Sequence, residues 1–529
     1  MKTGERPDGA SRSRIETSPR WRDALAGFGG RQSLLASGGL SLAASVWNAA
    51  VALVTVPIMV HSLGFASYGV YSVAFSVAAL GSYLDLGLGW TTAKFVAEAD
   101  ATGSPARAGT AMAASALYQL SLGLAFAGAV VIAAPWISLV ILHVPSNQAG
   151  AATAVLRLTA LSFVASSQLG VFVSTLRGLR RFSAATLIAA ASTSLSVIGA
   201  AAAAALGFGI VAAAAAQLFG VACGVVAGAW ACHPWLRAAD YRRGLWRQLR
   251  AMLEFSIWNY ASRLIQMFVL QADKIVIAGW GGPAVLAFYS VPFNFAQRVN
   301  VLAGPAVTAI YPIAVVGRFD RESFMRQYLA ASRLIHVATA ALAISVLVWG
   351  DRFLGAWVGP EMASRGTFFL RALTVGFWAL SVGSFDGGCI EGWNKPQLVF
   401  ALSAGAAAVG LAIVATTTWT LQRPDAAVAL GVAGYFVTVG IGQMVAWYRM
   451  SRYPARFMFM RVALPVAEMV VLALMASMAL RRIVDGRVAS IVALFVLMAG
   501  LGAYGVWRAH SRVELRTLAG RVMAPFGAA

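Results

Sequence analysis

Polar side chains interrupt two consecutive apolar stretches, each long enough to cross a bilayer. An ionisable group at the bilayer centre costs at least about 2.5–3.5 kcal/mol, so each one is a candidate for function. The set comprises Asn259, Arg263, Gln266 and Asp273 in the first stretch and Asn294, Gln297 and Arg298 in the second. In the first stretch the spacing i, i+4, i+7, i+14 places these side chains on one helical face. We expect the two faces to share a hydrated cavity in which guanidinium groups bind an anionic ligand.

Two further arginines, Arg157 and Arg371, lie near the end of their apolar stretches. They are candidates for the same ligand, but snorkelling of the guanidinium to lipid headgroups explains their position equally well. For Arg263 and Arg298 the alternative is an internal salt bridge to a nearby carboxylate that holds helices together.

Four carboxylates in the apolar stretches could carry a coupling ion, and the sequence does not distinguish H⁺ from Na⁺. They are Asp85, Glu254, Asp273 and Asp386. The alternatives are an interfacial ion pair for Asp273, which precedes Lys274, and capping of a frayed helix end for Asp85 and Asp386, which are followed by glycines.

The motifs of several enzyme classes are absent from the sequence. None of the four lysines follows a glycine, so there is no Walker A loop for ATP. The five histidines occur in no His-Glu-x-x-His pattern, and there is no Cys-x-x-Cys, which argues against a catalytic metal site. We therefore expect no cofactor and no catalytic residue, and the membrane potential or a gradient of H⁺ or Na⁺ as the source of energy.

The elements that position these residues follow from composition. The chain of 529 residues is 59% hydrophobic and only 12% charged, with a net charge of +21 and a mean hydropathy of +0.74, which excludes an ordinary soluble enzyme. A helix needs about 20 apolar residues to span the hydrocarbon, and this predicts an all-α polytopic membrane protein of about 14 transmembrane helices. The predicted spans are 34–60, 67–90, 108–134, 151–175, 183–206, 210–232, 253–279, 284–311, 331–350, 366–390, 396–420, 427–448, 463–480 and 488–507.

Orientation follows from the positions of Lys and Arg. Of the 41 such residues, 30 fall in the terminal segments and alternate loops that lie on one side, and 6 fall on the other. Because cytoplasmic loops retain positive charge, we expect both termini in the cytoplasm. The high net charge then reflects topology and anionic lipids, and no nucleic-acid partner is expected.

The chain also contains an internal repeat. Residues 64–75 recur as residues 282–293, with six of twelve positions identical, and Leu156-Arg157 recurs as Leu370-Arg371. We expect two parallel six-helix bundles related by an axis along the membrane normal. The predicted divisions are a basic tail (1–33), a first bundle (34–232), a basic linker (233–252), a second bundle (253–448), two accessory helices with their preceding loop (449–507) and a cytoplasmic tail (508–529).

Several short motifs resemble the polysaccharide transporters and Wzx-type flippases of the multidrug/oligosaccharidyl-lipid/polysaccharide (MOP) exporter superfamily. They are Leu63-Gly64-x-x-x-Tyr68-Gly69-x-Tyr71, Asp85-Leu86-Gly87-Leu88-Gly89, Gly178 with Arg180-Arg181-Phe182, Asp273-Lys274, Tyr289 and Pro312. The resemblance covers residues 34–450. It implies a bacterial inner-membrane protein that moves undecaprenyl-diphosphate-linked oligosaccharide to the outer leaflet by alternating access, with polysaccharide polymerase and glycosyltransferases as candidate partners.

The chain departs from this pattern in two places. Leu286-Ala287 replaces Tyr-Gly in the second copy of the motif, and the first two spans lack the cationic residues on which lipid II flippases of the superfamily rely. The second departure favours an exopolysaccharide, O-antigen or capsule unit as cargo. The alternatives are a drug or metabolite exporter of the same superfamily and a polytopic glycosyltransferase or polymerase.

Overall fold

The structure, a computed structural model, describes residues 31–81, 88–240, 244–304, 306–307, 310, 314, 321–452 and 463–509. Within these ranges it does not describe the side chains of residues 31–39, 41–42, 90, 147, 254–270, 301–302, 323 and 509. The described residues are almost entirely helical and contain no strand. In chain order the helices are α1 (Arg31–Leu80), α2 (Leu88–Ala101), α3 (Pro105–Trp136), α4 (Ser146–Gly178), α5 (Phe182–Ala205), α6 (Gly209–Ala238), α7 (Leu245–Ala296), α8 (Arg321–Trp357), α9 (Pro360–Gly392), α10 (Pro396–Leu421), α11 (Pro424–Ser451), α12 (Leu464–Ile483) and α13 (Arg487–Ala509).

The all-α polytopic architecture is confirmed. Twelve helical segments among the described residues are long and apolar enough to cross a membrane. Two of these, Ala43–Leu80 and Gln271–Asn300, each combine parts of two predicted spans, and so the twelve segments cover all fourteen. In α1 and α7 the paired spans are joined at one non-helical glycine rather than by a loop.

Helix boundaries follow local backbone chemistry. Pro360, Pro396 and Pro424 each stand in the first turn of a helix, where the missing N–H removes no hydrogen bond. Ser104 caps α3 by accepting from the N–H of Arg107 at 3.4 Å.

The internal repeat is visible in the backbone. Gly64 has φ 76° and ψ 162°, and Gly282, 218 residues later, has φ 77° and ψ 174°. This conformation favours glycine. The second copy of the motif therefore keeps the backbone conformation of the first at Gly282, although Leu286-Ala287 replace Tyr68-Gly69.

The helices pack in two groups along the chain. Helices α1 to α6 contact one another, α7 to α11 do the same, and the most extensive contact between the groups joins α1 to α7. The last two helices, α12 and α13, pack on α8. Arg481 of α12 reinforces this contact, because its Nη2 lies 2.9 Å from Oδ2 of Asp351 on α8.

The structure contains a helix that hydropathy does not predict. α1 ends at Leu80, residues 82–87 lie outside the described residues, and α2 runs from Leu88 to Ala101, past residue 90 where the second predicted span ends. Hydropathy alone missed α2 because the helix carries charges: Lys94 and Glu98 form an i, i+4 pair at 3.8 Å.

Candidate functional site

The two groups of helices meet where the repeated glycines reverse the chain. The rings of Phe65 and Phe288 pack with centroids 4.5 Å apart. Gly69 lies so close to α7 that a Cβ at this position would be 1.7 Å from the carbonyl oxygen of Pro283. The Tyr68 side chain hydrogen-bonds to Asn294, one of the predicted polar residues. We call this contact, formed by Phe65, Tyr68 and Gly69 of α1 with Pro283, Phe288 and Asn294 of α7, the closed contact.

A tryptophan of the second group strengthens the attachment of α1. Pro57 lacks an N–H, and the carbonyl of Leu53, four residues earlier, therefore has no helical donor. The indole Nε1 of Trp357 donates to that carbonyl. A backbone carbonyl that a proline leaves without a donor in the first group thus accepts a hydrogen bond from a side chain of the second group.

Both groups contain a break at the same place in the repeat. In the first, α1 is followed by a 3₁₀ residue, Gly81, at which this described range ends. In the second, the chain forms a 3₁₀ turn at Gln297–Leu302. The offset of 218 residues maps Gly81 onto Val299, inside that turn. Discontinuous helices are where membrane transporters place their binding sites.

The 3₁₀ turn sorts its side chains into two environments. Val299 is buried, and Oγ of Ser381 on α9 donates to Oδ1 of Asn300 at 3.0 Å. Gln297 and Arg298, on the other side of the turn, are exposed. The Arg298 guanidinium forms no ion pair with any described carboxylate, so among the described residues it is available to an anion.

Several predicted residues fall outside the described part of the chain. Asp85 lies between the described ranges, and the side chains of Glu254, Asn259, Arg263 and Gln266 are among those not described. The predicted polar stripe on the first half of α7 therefore stays a prediction.

The structure brings Arg157 and Arg371 to equivalent places and gives each a structural partner. Nε of Arg157 lies 3.4 Å from the carbonyl oxygen of Val131 in α3, whose helical donor is missing because Pro135 has no N–H. Nε of Arg371 lies 3.2 Å from the carbonyl oxygen of Leu347. Arg371 also lies 4.0 Å from Asp351, which it shares with Arg481. These contacts favour packing and snorkelling for both arginines over binding of cargo.

The predicted interfacial pair Asp273–Lys274 is instead inside the protein. The two residues are 4% and 5% exposed, and Nζ of Lys274 lies 3.5 Å from Oδ1 of Asp273. The Tyr289 hydroxyl donates to Oδ2 of the same carboxylate, and Lys274 lies 3.8 Å from the ring centroid of Phe293. Residues of both spans joined at Gly282 therefore meet in one buried ionic cluster.

Asp386 does not cap a helix end, because it lies inside α9 and is completely buried. The Tyr328 hydroxyl donates to its Oδ1 at 2.7 Å, whereas its Oδ2 has no partner among the described residues. Oε1 of Gln443 on α11 also lacks a described partner. It lies close to Gly387, because a Cβ added to this glycine would be 2.7 Å from that oxygen. This part of α9 and α11 therefore contains two buried acceptors without a described hydrogen-bond partner.

A cavity with a partly polar lining in the first group was missed by the sequence reasoning, which searched for charges. It has a volume of about 410 Å³ and lies between α1, α2, α3, α4 and α6. Its lining includes five hydroxyls of α4, which are Thr159, Ser162, Ser166, Ser167 and Ser174. Their spacing of i, i+3, i+7, i+8 and i+15 places them on one helical face, a pattern that is present in the sequence.

No three described His, Cys, Asp or Glu side chains are grouped so as to hold a metal ion. The groups that the structure does show are an exposed guanidinium at Arg298, buried carboxylates at Asp273 and Asp386, and a cavity whose polar lining consists of hydroxyls and amides.

Comparison with known proteins identifies both a family and a fold. The model of the family described as "Polysaccharide biosynthesis protein" matches residues 34–315, which is more than half of the chain. No curated protein matches the chain. Among solved structures, the lipid II flippase MurJ in an inward closed conformation is 14% identical with a TM-score of 0.62, covering 91% of this chain and 99% of that one.

Two transporters of another branch have the same fold. A multidrug resistance MATE family transporter of the MOP superfamily, in an inward-facing conformation, is 17% identical with a TM-score of 0.59, covering 85% of this chain and 100% of that one. The eukaryotic MATE transporter AtDTX14 is 11% identical with a TM-score of 0.60, covering 79% and 96%. At these identities the likeness shows the fold alone, which is that of MOP superfamily transporters.

Proposed function

Because the chain belongs to the polysaccharide biosynthesis protein family, we propose that it is a flippase, not an enzyme, for polyprenyl-diphosphate-linked oligosaccharide. Its cargo would be an exopolysaccharide, O-antigen or capsule unit, carried from the inner to the outer leaflet of a bacterial inner membrane. The observation that carries this proposal is the closed contact between two repeat-related groups of helices, together with a partly polar cavity in the first group. Rocking of one repeat against the other opens and closes such a contact.

The charge of the cargo fits the exposed arginine. A lipid diphosphate carries about two negative charges, and guanidinium groups bind phosphate oxygens through paired hydrogen bonds. Arg298 stands exposed in the 3₁₀ turn Gln297–Leu302, where its guanidinium would bind the diphosphate. Outward movement of anionic cargo is downhill in an inside-negative membrane, worth about 2.3 kcal/mol per charge per 100 mV.

Asp386 supports coupling to a cation. Burial of an ionised carboxylate costs free energy unless a countercharge or a full set of hydrogen bonds compensates it. Asp386 has neither among the described residues, so the site favours a bound proton or cation. Asp273 is the weaker coupling candidate because Lys274 and Tyr289 already satisfy it. Loss of the cation from Asp386 on one side of the membrane would link the ion gradient to the movement of α9.

The test is reconstitution of purified protein into liposomes that contain undecaprenyl-diphosphate-linked oligosaccharide with a fluorescent label on the sugar. Chemical quenching from outside reports the leaflet in which the label lies. We expect the wild type to equilibrate the label between leaflets and Arg298→Gln to slow this at least about tenfold, because a charge-assisted hydrogen bond to phosphate contributes roughly 1.5–3 kcal/mol.

The matched control is Arg326→Gln, which removes an exposed arginine of α8 whose partner is Glu322 at 2.6 Å. This variant should move the lipid at the wild-type rate. Absence of transport by the wild-type protein would contradict the flippase proposal. Transport of cationic drugs by the same vesicles, with the glycolipid left in place, would select the exporter alternative.

A further inference from the structure

The cavity of the first group has an unusual lining for a transporter of anionic lipid. None of the described residues that line it is charged, and hydroxyl and amide side chains supply its polar surface. Its volume of about 410 Å³ falls within the range of roughly 300–1,000 Å³ that is typical of small-molecule sites.

The hydroxyls of α4 are arranged to accept hydrogen bonds. Oγ1 of Thr159 donates to the carbonyl of Leu156 at 3.0 Å, and Oγ of Ser162 donates to that of Leu158 at 3.0 Å. Oγ of Ser167 forms the same kind of bond. A hydroxyl has one proton and two lone pairs, and hence each oxygen keeps acceptor capacity after its proton is used.

Two glutamines, Gln119 of α3 and Gln217 of α6, also line the cavity. The Tyr71 hydroxyl donates to Oε1 of Gln217 and so fixes the orientation of the amide, whose NH₂ group carries two N–H donors. The cavity therefore offers several acceptors and fixed donors, the combination that a molecule with many hydroxyls requires.

Aromatic rings complete the wall. Phe163 of α4 packs edge-to-face against Phe126 with centroids 5.2 Å apart, and Phe75 of α1 packs against Tyr71 at 4.7 Å. Rings fixed in this way provide a flat apolar surface for the C–H face of a pyranose.

We propose that this cavity binds neutral sugar rings of the cargo, separately from the diphosphate, which Arg298 would hold. The inference rests on the proposed function and adds that the sugar headgroup of the cargo is neutral. Among the described side chains of the lining, neither a cationic drug nor a uronic acid would find a countercharge. A neutral oligosaccharide satisfies both the hydrogen-bonding groups and the charge balance.

Glycine 170 gives a direct test. Gly170 lines the cavity on α4, and a Cβ at this position would meet nothing within 4 Å, so Gly170→Leu places an added apolar side chain at the cavity and narrows it. Gly128→Leu is the matched control, because Gly128 is a helical glycine of α3 that also has nothing within 4 Å but does not line the cavity.

Binding is measured on full-length protein in detergent with three probes: undecaprenyl diphosphate alone, the same lipid with two glucose units, and the same lipid with glucose and glucuronic acid. We expect the wild type to bind the diglucosyl lipid at least about tenfold more tightly than the other two. Gly170→Leu should lose this preference and still bind the unglycosylated lipid as the wild type does. Gly128→Leu should resemble the wild type for all three.

A second pair of variants tests hydrogen bonding without a change of shape. Ser162→Ala combined with Ser167→Ala should weaken binding of the diglucosyl lipid alone, by about threefold for each hydroxyl removed. Ser121→Ala, at an exposed serine of α3, should leave the binding of all three lipids unchanged. If Gly170→Leu kept the wild-type preference for the diglucosyl lipid, the inference would be overturned and the flippase proposal would stand. Equal binding of neutral and acidic lipids by the wild type would overturn the neutral class. Failure of the wild type to bind or move any of the lipids would remove both.

Discussion

Asp386 is the side chain whose environment most constrains its chemistry. It is fully buried in α9, with one oxygen bonded to Tyr328 and the other without a described donor. We predict that Asp386→Asn folds with a free energy of unfolding within about 1 kcal/mol of the wild type, because the amide keeps an acceptor and adds a donor. The variant should lose stimulation of transport by a proton or sodium gradient, measured in the vesicle assay.

Asp100→Asn, at an exposed carboxylate of α2, serves as the control and should respond to the gradient as the wild type does. Full gradient stimulation in Asp386→Asn would contradict the coupling role. Sequence reasoning selected Asp386 because it is an acid in an apolar stretch. The predicted span 366–390 places the residue inside a helix, but the sequence did not show that Tyr328, 58 positions away, donates to it.

The α1–α7 helix pair depends on a glycine at one close approach. A Cβ at Gly69 would be 1.7 Å from the carbonyl oxygen of Pro283, and backbone cannot yield as a flexible side chain does. We predict that Gly69→Val prevents the closed contact from forming and lowers the thermal stability of the detergent-solubilised protein, with a cost of about 1–3 kcal/mol. Transport should fall, because one of the two alternating states is lost.

Gly150→Val provides the comparison for helix propensity, since Gly150 is an exposed helical glycine of α4 with nothing within 4 Å. Its melting temperature and transport rate should stay close to those of the wild type. If Gly69→Val also kept the wild-type melting temperature and transport rate, the close approach of α1 to α7 would not be required for stability or transport.

Movement of the two groups of helices against each other can be tested across the whole molecule. Phe65 and Phe288 face each other across the closed contact with ring centroids 4.5 Å apart. In a background without Cys223, Cys232 and Cys389, we predict that Phe65→Cys with Phe288→Cys forms a disulfide on oxidation that abolishes transport. Reduction should restore it, because the bond holds closed a contact that must open in each cycle.

The paired control joins two helices of the same group. Phe377 and Phe436 lie 4.8 Å apart on α9 and α11, and oxidation of Phe377→Cys with Phe436→Cys should leave transport intact. Continued transport by the oxidised 65–288 pair would contradict alternating access at this contact. Transport stopped equally by both disulfides would point to movement within the second group.

The amino-acid sequence by itself determined the helical membrane architecture, the spans, the two-fold internal repeat and the family resemblance. These properties are local: hydropathy decides which segments enter the membrane, and Gly64 and Gly282 keep the same turn because each needs a positive φ wherever it lies. Only the tertiary structure decided how the polar residues are used. Arg157 satisfies a carbonyl that Pro135 leaves free, Lys274 is buried against Asp273, and the hydroxyls of α4 line a cavity. Whether a polar side chain in a membrane helix meets a partner, a cavity or lipid depends on neighbours distant in sequence, and those neighbours are set by helix packing.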